Sequence, residues 1–309
     1  SDTRSQVYGG IAYETPSSNI AVAKTAGKVL TWHGHVATTF FFSTSGGRTA
    51  DVREVWPALG SVPYLRAVDD PYDVRSPHHT WGPVTLDADK VAQRLHVPAG
   101  EMKVLTSSSG HVTAVRIGTR TIDGDRFRQE LGLASTVFRI GRMSLSAARA
   151  QVTFGGKLAL RARAEGVGRA ALQRRVGAGT WKTLKWIDGS TGVTVEPQGQ
   201  TLYRLAAGGV VGPVVGVAVA PRLHVVPAGA DLLAGEVRPV SRGTVTVSRR
   251  VGRSWKVVGH PQIDAGGSFR APLRLHPGAY RVEVGATGRF AGTAASLRVT
   301  PRLLATLTH

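Results

Sequence analysis

Cysteine is absent from all 309 residues. That excludes disulfides, thiolate metal sites and cysteine nucleophiles together, and says nothing about compartment, because exported bacterial proteins often manage without disulfides. Long apolar runs are missing too. No stretch approaches the roughly 20 residues of a membrane-spanning helix, and the mean hydropathy of -0.05 is that of a water-exposed globular chain. Nor is there a phosphate-binding glycine loop, a Gly-x-Ser-x-Gly elbow or a dinucleotide fingerprint. The chain opens Ser1-Asp2-Thr3 with no signal peptide. It therefore reads as a processed or excised piece, which is compatible with the loss of an upstream export signal.

Acidic residues are scarce, 20 against 39 Lys and Arg, for a net charge of +19. The imbalance is not shared evenly. Residues 1–141 carry 15 basic and 13 acidic side chains, net +2; residues 142–309 carry 24 and 7, net +17. A field of that size attracts polyanions. Nucleic acid and anionic wall polymers are both candidates, and charge held only for solubility is the plain alternative. The length suggests two or three domains.

From Gln151 the texture becomes that of an all-β sandwich: short Val/Leu/Ala/Arg strands between Gly-rich turns, with strands expected at Lys157–Arg163, Ala170–Arg175, Val214–Val219, Thr244–Arg249 and Tyr280–Val284. The region also repeats. Leu172-Gln173-Arg174-Arg175 matches Val247-Ser248-Arg249-Arg250, Trp181-Lys182 matches Trp255-Lys256, Tyr203-Arg204 matches Tyr280-Arg281, and Val219-Ala220-Pro221-Arg222-Leu223 matches Val299-Thr300-Pro301-Arg302-Leu303. The offsets of 75, 74, 77 and 80 residues suit two tandem domains rather than a solenoid. Two immunoglobulin- or fibronectin-like modules are expected, at residues 142–222 and 223–309. Trp181 and Trp255 have two readings, filler of a sandwich core or platform for a sugar ring, and core filling is the ordinary use. In each Arg-Arg pair at least one side chain reaches solvent, because neighbours on a strand face opposite ways.

Residues 1–141 read as mixed α+β. Ser17-Ser18-Asn19 offers N-caps for a helix through Thr25-Ala26 before Gly27. Strands are expected at Val29–Trp32 and His35–Phe42 around a His33-Gly34 turn, and at Lys103–Thr106 and Val112–Ile117; helices run from Asp87 to Leu95 and from Asp125 to Leu131, the latter closed by Gly132. Asp69-Asp70-Pro71-x-Asp73 fits a calcium loop or, more ordinarily, a turn whose carboxylates cap amides. His33-x-His35 fits zinc ligation or an exposed hairpin tip.

Several motifs follow one another here: Gln6-Val7-Tyr8-Gly9-Gly10; Ala21-Val22-x-x-Thr25-x-Gly27-x-Val29-Leu30; Phe42-Ser43-x-Ser45-Gly46-Gly47-x-Thr49; Trp56; Pro63-Tyr64-Leu65-x-x-Val68-Asp69-Asp70-Pro71; Ser76-Pro77-His78-His79-x-Trp81; and Phe127-Arg128-x-x-Leu131-Gly132-Leu133-x-Ser135-Thr136-x-Phe138. In this order they closely resemble the stage II sporulation protein D (SpoIID)/LytB family of peptidoglycan lytic transglycosylases, over about 140 residues. The resemblance implies cleavage of the β-1,4 bond between N-acetylmuramic acid and N-acetylglucosamine in glycan strands stripped of stem peptides. One Glu protonates the leaving oxygen and the muramoyl 6-hydroxyl closes onto the anomeric carbon, so no second carboxylate has to activate water. It further implies that this Glu lies upstream of Gln6-Val7-Tyr8, on a segment outside this chain. Glu14 is the nearest Glu and does not match it, so no catalytic residue is assigned. Substrate contacts are implied for Gln6 and Tyr8 and for the Ser43–Gly47 loop through Ser43, Ser45, Gly46 and Gly47, whose amides are expected to face outward.

The expected protein is thus an α+β domain, incomplete at its N-terminus, followed by two tandem all-β sandwiches. It is extracellular and wall-associated, and acts on peptidoglycan glycan strands with basic modules that hold the wall through anionic polymers; no cofactor and no nucleic acid are expected. The alternative is a non-catalytic wall-binding protein or amidase activator. Some members of the resembled family place a zinc-binding Cys where Ser5 stands. The purified chain should therefore hold no stoichiometric zinc after dialysis, and elemental analysis giving about one zinc per chain would overturn that expectation.

Overall fold

A computed structural model describes residues 9–107, 109–240 and 242–307. Two compact units divide the chain: the first takes residues up to 82 together with 91–138, the second residues 83–90 together with 139 onward.

In the first unit a three-stranded antiparallel sheet is built from Met102–Thr106, Val112–Ile117 and Arg120–Asp123, with Val112–Ile117 in the middle. Alternation along the central strand buries Val115 and Ile117, and Val112 is buried beyond a register shift opposite Leu105 and Thr106. The helix Gly124–Leu131 packs on it through Phe127 and Leu131, four residues apart and hence on one face. Asp123 caps that helix, its Oδ1 accepting from the amides of Asp125 (2.9 Å) and Arg126 (3.1 Å), and Gly132 closes it in the left-handed conformation. Phe138 stacks on Phe127 with ring centroids 5.5 Å apart.

Two expectations for this unit need correction. The helix Pro16–Thr25 is capped by Thr15, ahead of Ser17-Ser18-Asn19: Thr15 and Ser18 form a reciprocal capping box, and Pro16 takes the first helical position, where its missing N–H costs nothing. The strand expected over His35–Phe42 pairs only at His35–Val36, against Thr31–Trp32. Beyond Ala37 the run meets no partner edge among the described residues, and β-prone residues without a ladder to join are not a strand.

The second unit holds two β-sandwiches. In the first, Gly189–Val195, Leu158–Glu165 and Arg142–Ala147 form one sheet; Lys182–Ile187, Ala170–Val176, Thr201–Ala207, Val215–Ala220 and Gln151–Thr153 form the other, with Val210–Val211 appended and the last pair parallel. In the second, Arg222–Gly229, Leu232–Arg238 and Ser268–Pro272 face Ser254–Gly259, Val245–Val251, Gly278–Val284 and Thr293–Val299.

The sequence repeat is a repeat of register. Arg174 pairs with Tyr203 and Arg249 with Tyr280; two residues along, Leu172 pairs with Leu205 and Val247 with Val282. The tyrosines, not the tryptophans, fill the cores: Tyr203 is 1% exposed and Tyr280 0%, whereas Trp255 is 41% exposed and Trp181 only half-buried. This corrects the core-filling reading of Trp181 and Trp255. Each lies opposite, or just beyond, an outward-facing residue of the neighbouring strand, so parity sends the indole outward. Arg174 and Arg250 reach solvent.

Phe290, from the loop between Gly278–Val284 and Thr293–Val299, is buried in the core of the first sandwich and meets Phe154 edge-on at 6.3 Å. Around it Ala291 N–H donates to the Val219 carbonyl (2.8 Å) and Gln200 N–H to the Arg289 carbonyl (2.9 Å). The second module thus supplies a core residue to the first. Phe290→Ala should cost about 3–5 kcal/mol, the usual range for an aromatic truncated in a core, and calorimetry should show the loss in the transition that melts the first sandwich. An unchanged melt would show that the loop is only laid against that sandwich.

Candidate functional site

The Ser43–Gly47 loop is where the first unit concentrates buried polar chemistry. Gly46 and Gly47 take φ of 74° and 99°, the left-handed region in which side-chain-bearing residues are strained, so the turn depends on glycine. Ser45 is buried. Its amide donates to Asp73 Oδ1 at 2.7 Å and its hydroxyl to Asp70 Oδ2 at 3.0 Å, while the Gly47 amide donates to Ser45 Oγ at 3.1 Å. Asp70 N–H donates back to the Gly47 carbonyl, Thr49 N–H to the Val68 carbonyl, and Arg48 ion-pairs with Asp69. Thr44 and Ser76 share a hydroxyl–hydroxyl bond of 2.8 Å. The loop is therefore sewn along its length to residues 68–76.

Asp73 is the knot of this stitching. Its second oxygen, Oδ2, lies 2.5 Å from His79 Nδ1. The hydrogen bond from His79, with those from Ser45, holds the Asp73 carboxyl below the usual carboxylate range despite burial. An ionised carboxylate only accepts, so Nδ1 carries the hydrogen and Nε2 is the nitrogen left for other partners. The imidazole side chain is one-third exposed. A buried carboxylate orienting a partly exposed imidazole beside a clamped glycine loop can hold a ligand hydroxyl or take its proton.

Neighbouring carboxylates serve structure. Asp51, buried at the start of Val52–Val55, accepts from the Arg53 amide and side chain and meets Arg66; these bonds pull its pKa down to about 2. Glu54 accepts from the Ser107 hydroxyl (2.9 Å) and from Ser109. His111 bonds to the Thr136 hydroxyl at 2.8 Å, and burial lowers its pKa. Phe40 stacks on Trp56 at 4.1 Å, and Trp56 remains 44% exposed, an aromatic surface of the kind sugar rings pack on.

Among the residues with implied substrate contacts, Ser43 and Gly46 are exposed, Gly47 is partly buried and Ser45 is buried. The outward-facing amides expected of this loop are corrected accordingly: those of Ser45 and Gly47 are already bonded to Asp73 and Ser45. Gln6, Tyr8 and Ser5 lie outside the described residues. Asp69, Asp70 and Asp73 act as a turn that caps amides and pairs with Arg48 and His79, and among the described residues no group of three or more His, Asp or Glu is arranged to hold a metal ion. His33 and Gly34 both take positive φ at the tip of a tight hairpin, the geometry of a two-residue turn. Sequence reading missed the Asp73–His79 pair. Both residues lay in the motifs quoted above, but Asp73 was read within a turn or calcium loop and His79 was given no partner.

No protein-family model matches the chain. Stage II sporulation protein D of Bacillus subtilis (strain 168) is 35% identical over 136 residues, which is 42% of this chain and 39% of that protein. Over these residues the chain is similar to stage II sporulation protein D. The protein of that name from Bacillus amyloliquefaciens is 30% identical over 123 residues, 38% of this chain and 35% of its own length, and an amidase enhancer of Bacillus subtilis (strain 168) is 44% identical over 71 residues, 23% and 10% respectively. The chain thus spans about two-fifths of the length of the sporulation proteins it matches. Of solved structures, a two-domain fibronectin type III segment of chicken tenascin covers 52% of this chain at 18% identity with a TM-score of 0.33, and a titin immunoglobulin tandem covers 52% at 15% identity with a TM-score of 0.23. At such scores the sandwich assignment rests on this chain's own strand pairing.

Asp73→Ala should release the Ser45 amide, with hydrogen exchange there at least about tenfold faster and little change in the central strand Val112–Ile117. In the parent chain the clamp is complete above the ordinary Asp pKa of about 3.9 and is lost as pH falls through the lower folded value, because protonation removes an acceptor. Exchange at Ser45 that ignores both the substitution and acidification would place the clamp elsewhere.

Proposed function

We propose that this chain acts at the glycan strands of bacterial peptidoglycan, outside the cell. Its first unit holds a strand for lytic-transglycosylase-like cleavage between N-acetylmuramic acid and N-acetylglucosamine, and its basic sandwiches hold the wall. The observation that carries this reading is the clamped Ser43–Gly47 loop with the Asp73-oriented His79 beside it, in a stretch whose motifs resemble that family and in a chain whose relatives are sporulation protein D and an amidase enhancer.

In this reading Ser43 and the exposed Gly46 backbone contact sugar hydroxyl and N-acetyl groups, and Trp56 with Phe40 offers a ring face. His79 Nε2 accepts from a sugar hydroxyl and is the group on hand to take the proton that the muramoyl 6-hydroxyl loses as it closes onto the anomeric carbon. The leaving oxygen needs a proton at the same moment. No Glu of this chain matches the position from which the resemblance draws that acid, and an absent general acid typically costs about 10²–10⁴-fold in rate.

Residues 1–309 should therefore retain denuded glycan strands in a pull-down, with His79→Ala weakening retention about tenfold, the value of one good hydrogen bond, while releasing no 1,6-anhydromuramoyl product detectable by mass spectrometry. Robust product formation would transfer the acid role to a carboxylate of this chain, with Glu14 the first to test. Failure to retain glycan, together with stimulation of a wall amidase, would replace the reading with that of an activator.

A further inference from the structure

The larger sheet of the first sandwich has one face turned to the core, carrying Ala170, Leu172, Ile187, Tyr203 and Leu205. The register fixes what lies on the other. Ala171, Gln173 and Arg175 alternate outward; Trp186 pairs with Ala171, Arg204 with Gln173, and Leu202 with Arg175. Two indoles and three guanidinium groups meet on this outer face. Arg204 lies 4.1 Å and Arg175 5.0 Å from the centre of the Trp181 ring, and Arg169 lies 5.5 Å from that of Trp186. Trp186 is 55% exposed. Arg204 is aimed by a 2.9 Å bond from its Nε to Gln173 Oε1, which leaves its terminal nitrogens available. Among the described residues none of these three arginines ion-pairs with a carboxylate.

The second sandwich supplies an internal comparison on the same scaffold. Its equivalent of Arg204 is Arg281, and the position matching Ala206 is Glu283, which ion-pairs with Arg281 at 2.8 Å. Among the described residues no guanidinium stacks on Trp255. One module thus neutralises on this face an arginine whose counterpart in the other is left over an indole.

Stacked guanidinium groups keep their N–H edges pointing outward in a plane, the arrangement that grips phosphate bidentately, while an exposed indole face packs on pyranose rings. We infer that the outer face of the first sandwich, formed by Trp181, Trp186, Arg169, Arg175 and Arg204, is a binding site for a phosphate-bearing sugar polymer of the cell wall. A polymer alternating sugars and phosphates presents both chemistries along one chain. The choice of a wall polymer over other polyanions rests on the function proposed above; the existence of an anion-binding face does not.

The test compares the full chain with Arg175→Gln/Arg204→Gln and with Trp181→Ala, and uses Arg281→Gln and Trp255→Ala in the second module as matched controls. Probes are native walls, walls stripped of phosphate polymers, and single-stranded DNA, each across a salt series. The expected result is at least tenfold weaker binding to native walls for the first pair of variants, less than twofold change for the controls, and at least tenfold weaker binding of the parent to stripped walls. Affinity should fall steeply with salt, since exposed charge is screened over about 8 Å at physiological ionic strength. Arg175→Lys/Arg204→Lys keeps the charge and loses the stacked fork, and full binding by that variant would reduce the site to diffuse charge and overturn it. So would equal losses in both modules, or salt-insensitive binding to both wall preparations. Tighter binding to DNA than to walls would make this a nucleic-acid face instead. Retention of denuded glycan, which reads the first unit, should be the same in every variant, so its failure would tell against the function and leave the face standing.

Discussion

Parity of strand pairing is the constraint on which most of this molecule depends. In each sandwich a tyrosine stands opposite an arginine on the central pair of strands, and the residues two places along, Leu172 with Leu205 and Val247 with Val282, fall on the same face and are buried. A slip of one residue would turn that whole set to solvent and bring Arg175, Arg204 and Trp186 into the core, stranding charges in a medium that cannot solvate them. The cost of such a slip is what makes the register single-valued. The same parity that builds the cores also builds the outer faces, so core and surface chemistry on these sheets are not independent choices.

The first unit works by a different logic. Its sheet has three strands and its core is small, and the Ser43–Gly47 loop is held by hydrogen bonds to Asp70 and Asp73 rather than by apolar packing. A carboxylate buried with several donors stays ionised and each donor stays fixed, because the alternative is an unsatisfied polar group away from water. One acidic side chain thereby sets two things at once: the path of a glycine turn and the tautomer of His79. This economy also makes the site sensitive to acid.

How much of this was legible beforehand follows from the range of the interactions involved. Strands such as Ala170–Val176 and Gly278–Val284 were readable to within a residue or two, because their period-two pattern and flanking turns are local. The helix at Gly124–Leu131 was equally plain from its Asp and Gly ends. The failures are long-range. Residues 38–42 have strand composition but, among the described residues, no edge to pair with, and nothing within the segment records that. For Trp181 and Trp255 residue type left a core filler and a sugar platform open and favoured the core; which face an indole takes is decided by pairing with a strand several residues away. Asp73 and His79 are only six residues apart, yet their bond depends on a 3₁₀ turn at Asp73–Arg75 that the motif did not announce.

Charge completes the account of why two copies of one module differ. Both sandwiches are basic, and a uniform excess of arginine would give solubility and little else. The excess is organised instead. In the second module Arg281 is held by Glu283, and Arg238 by Glu236. In the first, Arg163 pairs with Glu165 on the smaller sheet while the larger sheet keeps its arginines over tryptophan rings. An exposed ion pair contributes little to stability, so stability alone gives little reason for placing Glu283 in one copy and Ala206 in the other. What that difference does alter is the potential each face presents. With cores that share register and fill the same tyrosine position, the divergence between the modules lies at the surface, where it is free to follow what each face touches.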